Sequence, residues 1–591
     1  MLLRTFMFLL VSASALAQTT LPLSMTTLQN GAATIREGKT GSSRTLVTTY
    51  TVSQLRSLRL SKNAALPTIV ETTDFGGGRW RYDPADTSTP DNTGTCIVTA
   101  NGGRFKRQYF RSIDVGWFIS PGATDHRSAL QAAFKVAKTE KALVYDTGMM
   151  TYNIKGPIVV NGDGIAGIAL NGTISCQGAG YTALTFTGPL RMRTFRIDLE
   201  GNNNALNGID IQFALITEFD NIRVHACNGF GLRIGRTYDS IYKNISVELC
   251  GNATNYAFSV VNGGDTSNMS HFLRLQVEQS REKAIYVAPE TLGCVFHNIH
   301  SERQRVSRAG TDTWFLGGST VTYANVRLQA NTEGVFSSAN AIARFYGTHL
   351  TVNDLRIENN CPLVLENWAE GLAQVVVNHI NASGNVSRAG KGEVLIDKGY
   401  ITTLLGATNR FYLRDVTINS VVVGSAPNEN FPLTLTRCWV KNLSSAGELS
   451  YLKATDSQID AGDFPKGACW LINSKFSFGT ETAGYRRIYA NNSTLVGNLT
   501  TDAGYVELSN NSSVVGNLTC GFARAIIFDA SSYVTGVVKN YGPPESSTYS
   551  GGFSVGRRTF NPAPTATGVQ YWVCTVPGVK GQPGTWTPIS N

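Results

Sequence analysis

The chain has 591 residues and a formal charge of +9, with only 16% of its residues charged. That length excludes one compact core and leaves several domains or one elongated, repetitive one. Its 59 glycines against 19 prolines, with abundant Thr, Ser, Asn and Val, exclude a long-helix protein and predict short strands joined by tight turns.

In chain order, the first stretch is MLLRTFMFLLVSASALAQ, with one early Arg, an apolar run from Phe6 to Ala17, and Ala-Leu-Ala before Gln18. This pattern predicts a signal peptide over residues 1–17 that is removed on export. A membrane anchor is disfavoured because the run is shorter than the ~20 apolar residues a span needs, and no later stretch reads as a span. The mature chain is therefore expected outside the cell, secreted or at the cell surface. Its ten cysteines are scattered. Cys227 in VHAC and Cys250 in VELC hold equivalent places, where a disulfide and a pair of packed thiols are both open. No Cys/His group has the spacing of a zinc site.

Residues 18–64 read as a linker ending in a short helix around TVSQLRSLRL, and residues 65–112 as a small β subdomain of Gly turns and aromatic–basic strands. The clearest helix is TDHRSALQAAFKVAKTEKA, within a capping region over 113–142. Thr124 or Asp125 is placed to cap it, and Leu130, Ala133, Phe134 and Ala137 share a face that suits covering the open edge of a sheet.

From about 143 to 545 the phrases superpose. FRIDLEG, DNIRVHAC, KNISVELC, LRLQVEQS and HNIHSERQ each place an inward aliphatic three residues before an outward position held by Glu200, His225, Glu248, Glu278 and Glu302. A looser continuation runs through Gln329, Glu358 and Asn381, in steps of 23 to 30 residues. In NISVELC, alternation predicts Ile245, Val247 and Leu249 inside and Ser246 and Glu248 outside. Later the coils tighten: NSTLVGNLT and NSSVVGNLT lie 19 residues apart, and ASSYVTGVV is read at the same step. One strand phrase per period is the mark of an all-β solenoid whose coils bury their apolar faces only by stacking. The Asn residues of the repeated Asn-x-Ser/Thr triplets read as turn formers at the bends.

The segments TVSQLRSL, FGGGRWRYDPADTSTPDNTGTCIV, GGRFKRQY and VGWFISPGATDHRSALQAAF, with the closing GVQYWVCTVPGVKGQPGTW over a tail at 546–591, resemble the pectate-lyase superfamily. Within it they look like phage tailspike depolymerases. The resemblance covers about a quarter of the chain and implies a single-stranded right-handed parallel β-helix with a small N-terminal β subdomain and a capping helix. It departs from the family at SPGATDH, where a Gly-Asp-Gly turn and paired Asp are usual. A signal peptide also suits an exported bacterial relative better than a virion spike. The resemblance leaves a homotrimer and a monomer both open.

Stacked strands lie ~4.8 Å apart, so Glu248, Glu278 and Glu302 are expected as three adjacent carboxylates on the outer face, a spacing that raises the pKa of at least one. Glu278, flanked on both sides, is the expected acid, with Glu248 or Glu302 as nucleophile or base. His225, His300 and Arg303 are expected to orient or neutralise substrate, and Trp314, Phe315, Trp368 and Tyr242 are candidate platforms for sugar rings. Asp198, Asp210, Glu218, Asp220 and Asp239 are alternative acids in the same coils. The opposing reading is a solvated face with local ion pairs.

The expected function is cleavage of an acidic or complex polysaccharide by a glycoside hydrolase or a polysaccharide lyase. The alternative is a non-catalytic β-helix that binds glycan or attaches to a surface. A hydrolase needs no cofactor; a lyase of this class could use Ca2+ held by carboxylates, a role the line of Glu could serve. No nucleic-acid partner is expected, since RWRYD sits in turns and lacks a recognised nucleic-acid-binding motif.

Overall fold

The structure is a computed structural model that describes residues 48–59, 69–148, 150–263, 266–367, 374–390, 392–407, 410–423, 433–445, 451–463, 467–483, 487–501 and 505–520, with short strands beyond. The expected signal peptide at 1–17, residues 18–47 and 60–64 of the next segment, and Trp368 lie outside the described residues. No described helix is long and apolar enough to cross a membrane.

Two compact units result, the first built from residues up to Phe110 together with Trp117–Gly122. Its sheet runs in the order Thr48–Tyr50, Ile69–Thr72, Gly78–Asp83, Arg104–Arg107 and Cys96–Val98. The first pair is parallel and the others antiparallel. The short helix Val52–Ser57 starts at a capping box between Thr51 and Gln54. The helix expected after the linker is present, and its Val52 and Leu55 complete the core of Val70, Trp80, Ile97 and Phe105. Arg107 lies buried between the rings of Trp80 and Trp117, at 4.3 and 4.5 Å.

The second unit is a right-handed parallel β-helix. Its helix, Arg127–Glu140, buries Ala129, Leu130, Ala133, Phe134 and Ala137. Neither Thr124 nor Asp125 occupies the N-cap. His126 does, because its ring is buried and its Nδ1 accepts the amide of Asn153 at 3.0 Å, fixing the helix start to the first coil.

Each early coil bends within its long strand. In Glu218–His225, Ile241–Glu248, His271–Glu278, Val295–Gln304, Thr322–Ala330 and His349–Glu358 one residue is skipped by the register. Those residues are Asn221, Asn244, Arg274, Asn298, Asn325 and Asp354, with φ between 52° and 65°. Asn and Asp tolerate this left-handed conformation, which explains the repeated Asn. The bend divides the strand into two faces, and segments such as Leu232–Tyr238 and Thr311–Gly318 form a third.

The interior is a set of stacked columns. Ile222, Ile245, Leu275 and Ile299 form one and Val224, Val247 and Val277 another. A third is aromatic: Phe219, Tyr242, Phe272 and Phe296 follow one another at 4.3 to 4.4 Å, with planes within 5° of parallel. Tyr242 is thus a core residue rather than a sugar platform, its hydroxyl donating to Thr237 Oγ1 at 2.8 Å. Leu249 is also corrected. With φ of 53° it is the turn residue, and Cys250 points inward in its place. Cys227 and Cys250, like Cys176 and Cys294 on either side, are free and buried, so they are packed thiols.

A hydroxyl ladder that begins in the early coils, where the amides of Thr217 and Ser240 donate to Ser240 and Ser270 Oγ at 3.2 Å, is longer in the late ones. The amides of Cys438, Ser457, Ser474, Ser493 and Ser512 donate to Ser457, Ser474, Ser493, Ser512 and Ser532 Oγ at 3.0 to 3.2 Å. The ladder also corrects a register: Ser513 pairs with Tyr533, so ASSYVTGVV follows at 20 residues rather than 19. The strands Arg558–Phe560, Val569–Val576 and Thr585–Ser590 pair antiparallel after the coils end.

Candidate functional site

Parallel pairing sets the outer face of the early coils. Glu200, His225, Glu248, Glu278 and Glu302 stand in one line across five coils. After Glu302 the register shifts at Gln304, so Gln329 and Glu358, which pair with each other, continue the line beyond an irregularity. That shift comes from Gln304, which turns inward and is fully buried. Its Nε2 donates to the carbonyls of Val277 and Glu302 at 2.7 and 2.8 Å. Two residues earlier runs a second outward line of Ser246, Gln276, His300 and Arg327.

The carboxylates differ in their partners. Glu200 is bound to His225 Nδ1 at 2.6 Å, and Glu302 to His300 Nε2 at 3.0 Å with Arg303 at 3.8 Å. Glu248 and Glu278 instead accept from amides: Gln279 Nε2 donates to Glu248 at 3.0 Å, and Gln276 Nε2 donates to Glu278. Among the described residues no Lys or Arg lies within 4.0 Å of either carboxylate. Several of the alternative acids are matched by cations. Asp210 takes a two-pronged bond from Arg233 at 2.9 and 2.8 Å, Glu218 pairs with Lys243 at 2.5 Å, and Asp198 lies 3.6 Å from Arg223. Burial and Arg233 explain Asp210 as a structural ion pair.

One oxygen each of Glu278 and Glu302 and a ring nitrogen of His300 lie within 4.8 Å of one another. This donor set suits a borderline transition metal better than Ca2+, which takes six to eight oxygens. The residues therefore do not fit calcium.

Grooves flank the line on both sides. One of about 470 Å3 is lined by Arg274, Gln276, Asn298, His300, Asn325 and Arg327. The other, about 420 Å3, takes in Gln279, Arg303, Arg305, Gln329 and Glu333. Arg274 is the one departure from Asn or Asp among the six bend residues named above, and it holds φ of 65°. An Arg held in a left-handed conformation in the lining of a groove is a feature the sequence reading missed. The clue lay in LRLQVEQS, where Arg stands where the neighbouring phrases have Asn, and Gln flanks the Glu on both sides.

The expected aromatic platforms move. Trp314 is fully buried and donates its indole N–H to Ser301 Oγ at 2.7 Å, so it offers no face to a sugar. The reason is a register irregularity between Asp312 and Trp314, which turns the indole inward. Phe315 faces out instead, in a row with Tyr286 and Tyr346 at 5.3 and 5.6 Å on the third face, away from the Glu line.

Residues 48–110 match a family described as the phage tail protein small four-stranded β-sheet domain. Over 204 residues the chain is 28% identical to the Mu-like prophage FluMu defective tail fiber protein of Haemophilus influenzae, covering 33% of this chain and 30% of that protein. Among solved structures, full-length tailspike protein 2 of the Escherichia coli O157:H7 bacteriophage CAB120 aligns over 94% of this chain and 67% of its own, at 11% identity and TM-score 0.31. WceF of Pantoea stewartii, described as a glycan biofilm modifying enzyme with a tailspike-like parallel β-helix fold, aligns over 63% of this chain and 52% of its own, at 12% identity and TM-score 0.24. The β-helix assignment rests on the chain's own strand register.

Proposed function

We propose that the chain is a polysaccharide-cleaving enzyme of the tail-associated or exported β-helix type, working through Glu278 and its neighbours Glu248 and Glu302. The observation that carries this reading is the environment of Glu278. It sits between two carboxylates one coil away on either side, and an amide, not a cation, is its partner. A carboxyl so placed is positioned to act as general acid towards a glycosidic oxygen. Glu302, oriented by His300, then serves as nucleophile or base, since carboxylates ~5 Å apart suit a covalent intermediate and wider pairs leave room for water. Arg274 and Arg305, which line the grooves and form no ion pair among the described residues, favour an acidic glycan. Because the donor set does not suit calcium, hydrolysis is preferred to a calcium-assisted elimination.

The test is a panel of acidic and neutral polysaccharides assayed for new reducing ends and for absorbance by unsaturated products. Glu278→Gln is expected to lower cleavage by about 10²–10⁴-fold with the thermal midpoint unchanged. Cleavage that survives Glu248→Gln, Glu278→Gln and Glu302→Gln alike would refute the site. Binding with no cleavage of any polymer by the native chain would favour the attachment protein.

A further inference from the structure

A second groove lies in the late coils and shares no residue with the carboxylate line. Its floor is one outward residue from each of six successive coils, in register: Tyr412, Thr434, Lys453, Trp470, Tyr489 and Glu507. The cavity measures about 530 Å3, within the range of ligand sites, and Asn491 and Ser509 add hydrogen-bonding groups to its lining. At ~4.8 Å per coil the floor extends for roughly 24 Å along the solenoid axis.

The order of residues along this floor suggests what it holds. Trp470 and Tyr489 are parallel to within 1° with ring centres 5.7 Å apart, and Tyr451 lies 6.4 Å from Trp470. Rings at these separations are not closed upon one another as they are in the core column, where 4.3 to 4.4 Å separates them. Apolar ring surface is left for the C–H groups of a ligand. Lys453 is exposed, and among the described residues its ammonium makes no hydrogen bond or ion pair. An uncompensated cation beside an aromatic strip matches an anionic sugar followed by apolar pyranose faces. Thr434 and Asn491 offer partners for hydroxyl groups.

We propose that this groove is a second, non-catalytic binding site for an anionic polysaccharide running along the solenoid axis. Lys453 takes a carboxylate of the polymer, and Trp470 and Tyr489 take the sugar rings beside it. The ligand class rests on the reading of the chain as a polysaccharide-acting protein; the groove does not depend on the carboxylate line.

The test is affinity electrophoresis of the full chain through native gels containing polygalacturonate, alginate, hyaluronan or polysialic acid, with dextran as the neutral control. Retardation is expected with at least one acidic polymer, decreasing with salt, and not with dextran. Trp470→Ala and Lys453→Met are each expected to weaken it about tenfold, while Trp470→Phe retains most of it and Glu278→Gln all of it. Unchanged thermal unfolding checks that the variants fold. No retardation by any acidic polymer, equal retardation by dextran, or native behaviour of both groove variants would each overturn the proposal. Loss of retardation in Glu278→Gln would overturn it too, by assigning the binding to the carboxylate line. Retardation without cleavage would instead retire only the catalytic reading.

Discussion

The early coils, residues 195–358, and the late coils, residues 433–520, solve one problem with different materials. Both stack parallel strands and both bend at left-handed residues. The early coils take 23 to 30 residues per turn, fill one interior column with aromatic rings, and carry the carboxylate line outside. The early coils also have a short hydroxyl ladder of Thr217, Ser240 and Ser270 beside their rings, whereas the late coils take 17 to 20 residues per turn and carry a longer serine ladder. Their bends are also tied side chain to side chain: Asn473 Nδ2 donates to Asp456 at 3.0 Å and Asn492 Nδ2 to Asn473 at 2.9 Å. The early bends are tied in the same way, Asn244 Nδ2 donating to Asp220 at 3.0 Å, so cross-coil hydrogen bonds hold the register in both regions. The early coils add a column of stacked rings inside, and their outer positions carry irregular residues such as Arg274, Gln276 and His300.

Because solenoid coils contact only their neighbours, stability is local and each region can be disturbed separately. The largest effect is expected from Tyr242→Ala. It removes a fully buried ring from the aromatic column and should cost about 3–5 kcal/mol, read as lost amide-exchange protection around residues 219–296 with the late coils retained. Loss spread evenly over both regions would erase the distinction between them.

Alkali should loosen the solenoid along its length, since buried thiols occur in both regions, Cys294 in the early coils and Cys438 in the late ones. Burial pushes the thiols of Cys176 to about 12 and of Cys294 and Cys361 to about 11, from a model value of 9.0. A raised folded-state value means that the neutral thiol stabilises the fold. That contribution is complete below pH 9 and is lost as pH rises from 9 towards 11–12. The denaturant midpoint should therefore fall across that window, and a disulfide reagent should label these thiols only after unfolding. Rapid labelling at pH 8 would contradict their burial.

A smaller cost, about 1–3 kcal/mol, is expected for Ser474→Ala. The change leaves the buried amide of Ser457 without its acceptor, and exchange should quicken around residues 455–493 alone. The smallest effect has the opposite sign. Arg274→Asn relieves a left-handed Arg and should raise stability by about 0.5–1 kcal/mol in chemical denaturation, while weakening any cleavage or binding in the adjoining groove. A stability loss would show that Arg274 is structural.

Much of the fold was legible because a repeating polymer writes its contacts as a sequence period. Alternation and period together placed Ile245 and Val247 inside and put Glu248, Glu278 and Glu302 in register. The helix face of Leu130, Ala133, Phe134 and Ala137 and the turn-forming Asn were legible for the same reason: each is a local pattern with a local cause. What the period does not encode is where a coil slips. Gln304 turning inward, the irregularity before Trp314 and the 20-residue step to Ser532 each depend on which neighbouring coil supplies a partner. By itself the sequence determined a stacked all-β solenoid and its repeated carboxylate, since both follow from spacing along the chain. Tertiary structure alone decided that Trp314 and Tyr242 are core, that Glu248 and Glu278 face amides rather than cations, and that Lys453, Trp470 and Tyr489 share a floor. Those outcomes depend on cross-coil register, and a shift of one residue turns a side chain from solvent to interior.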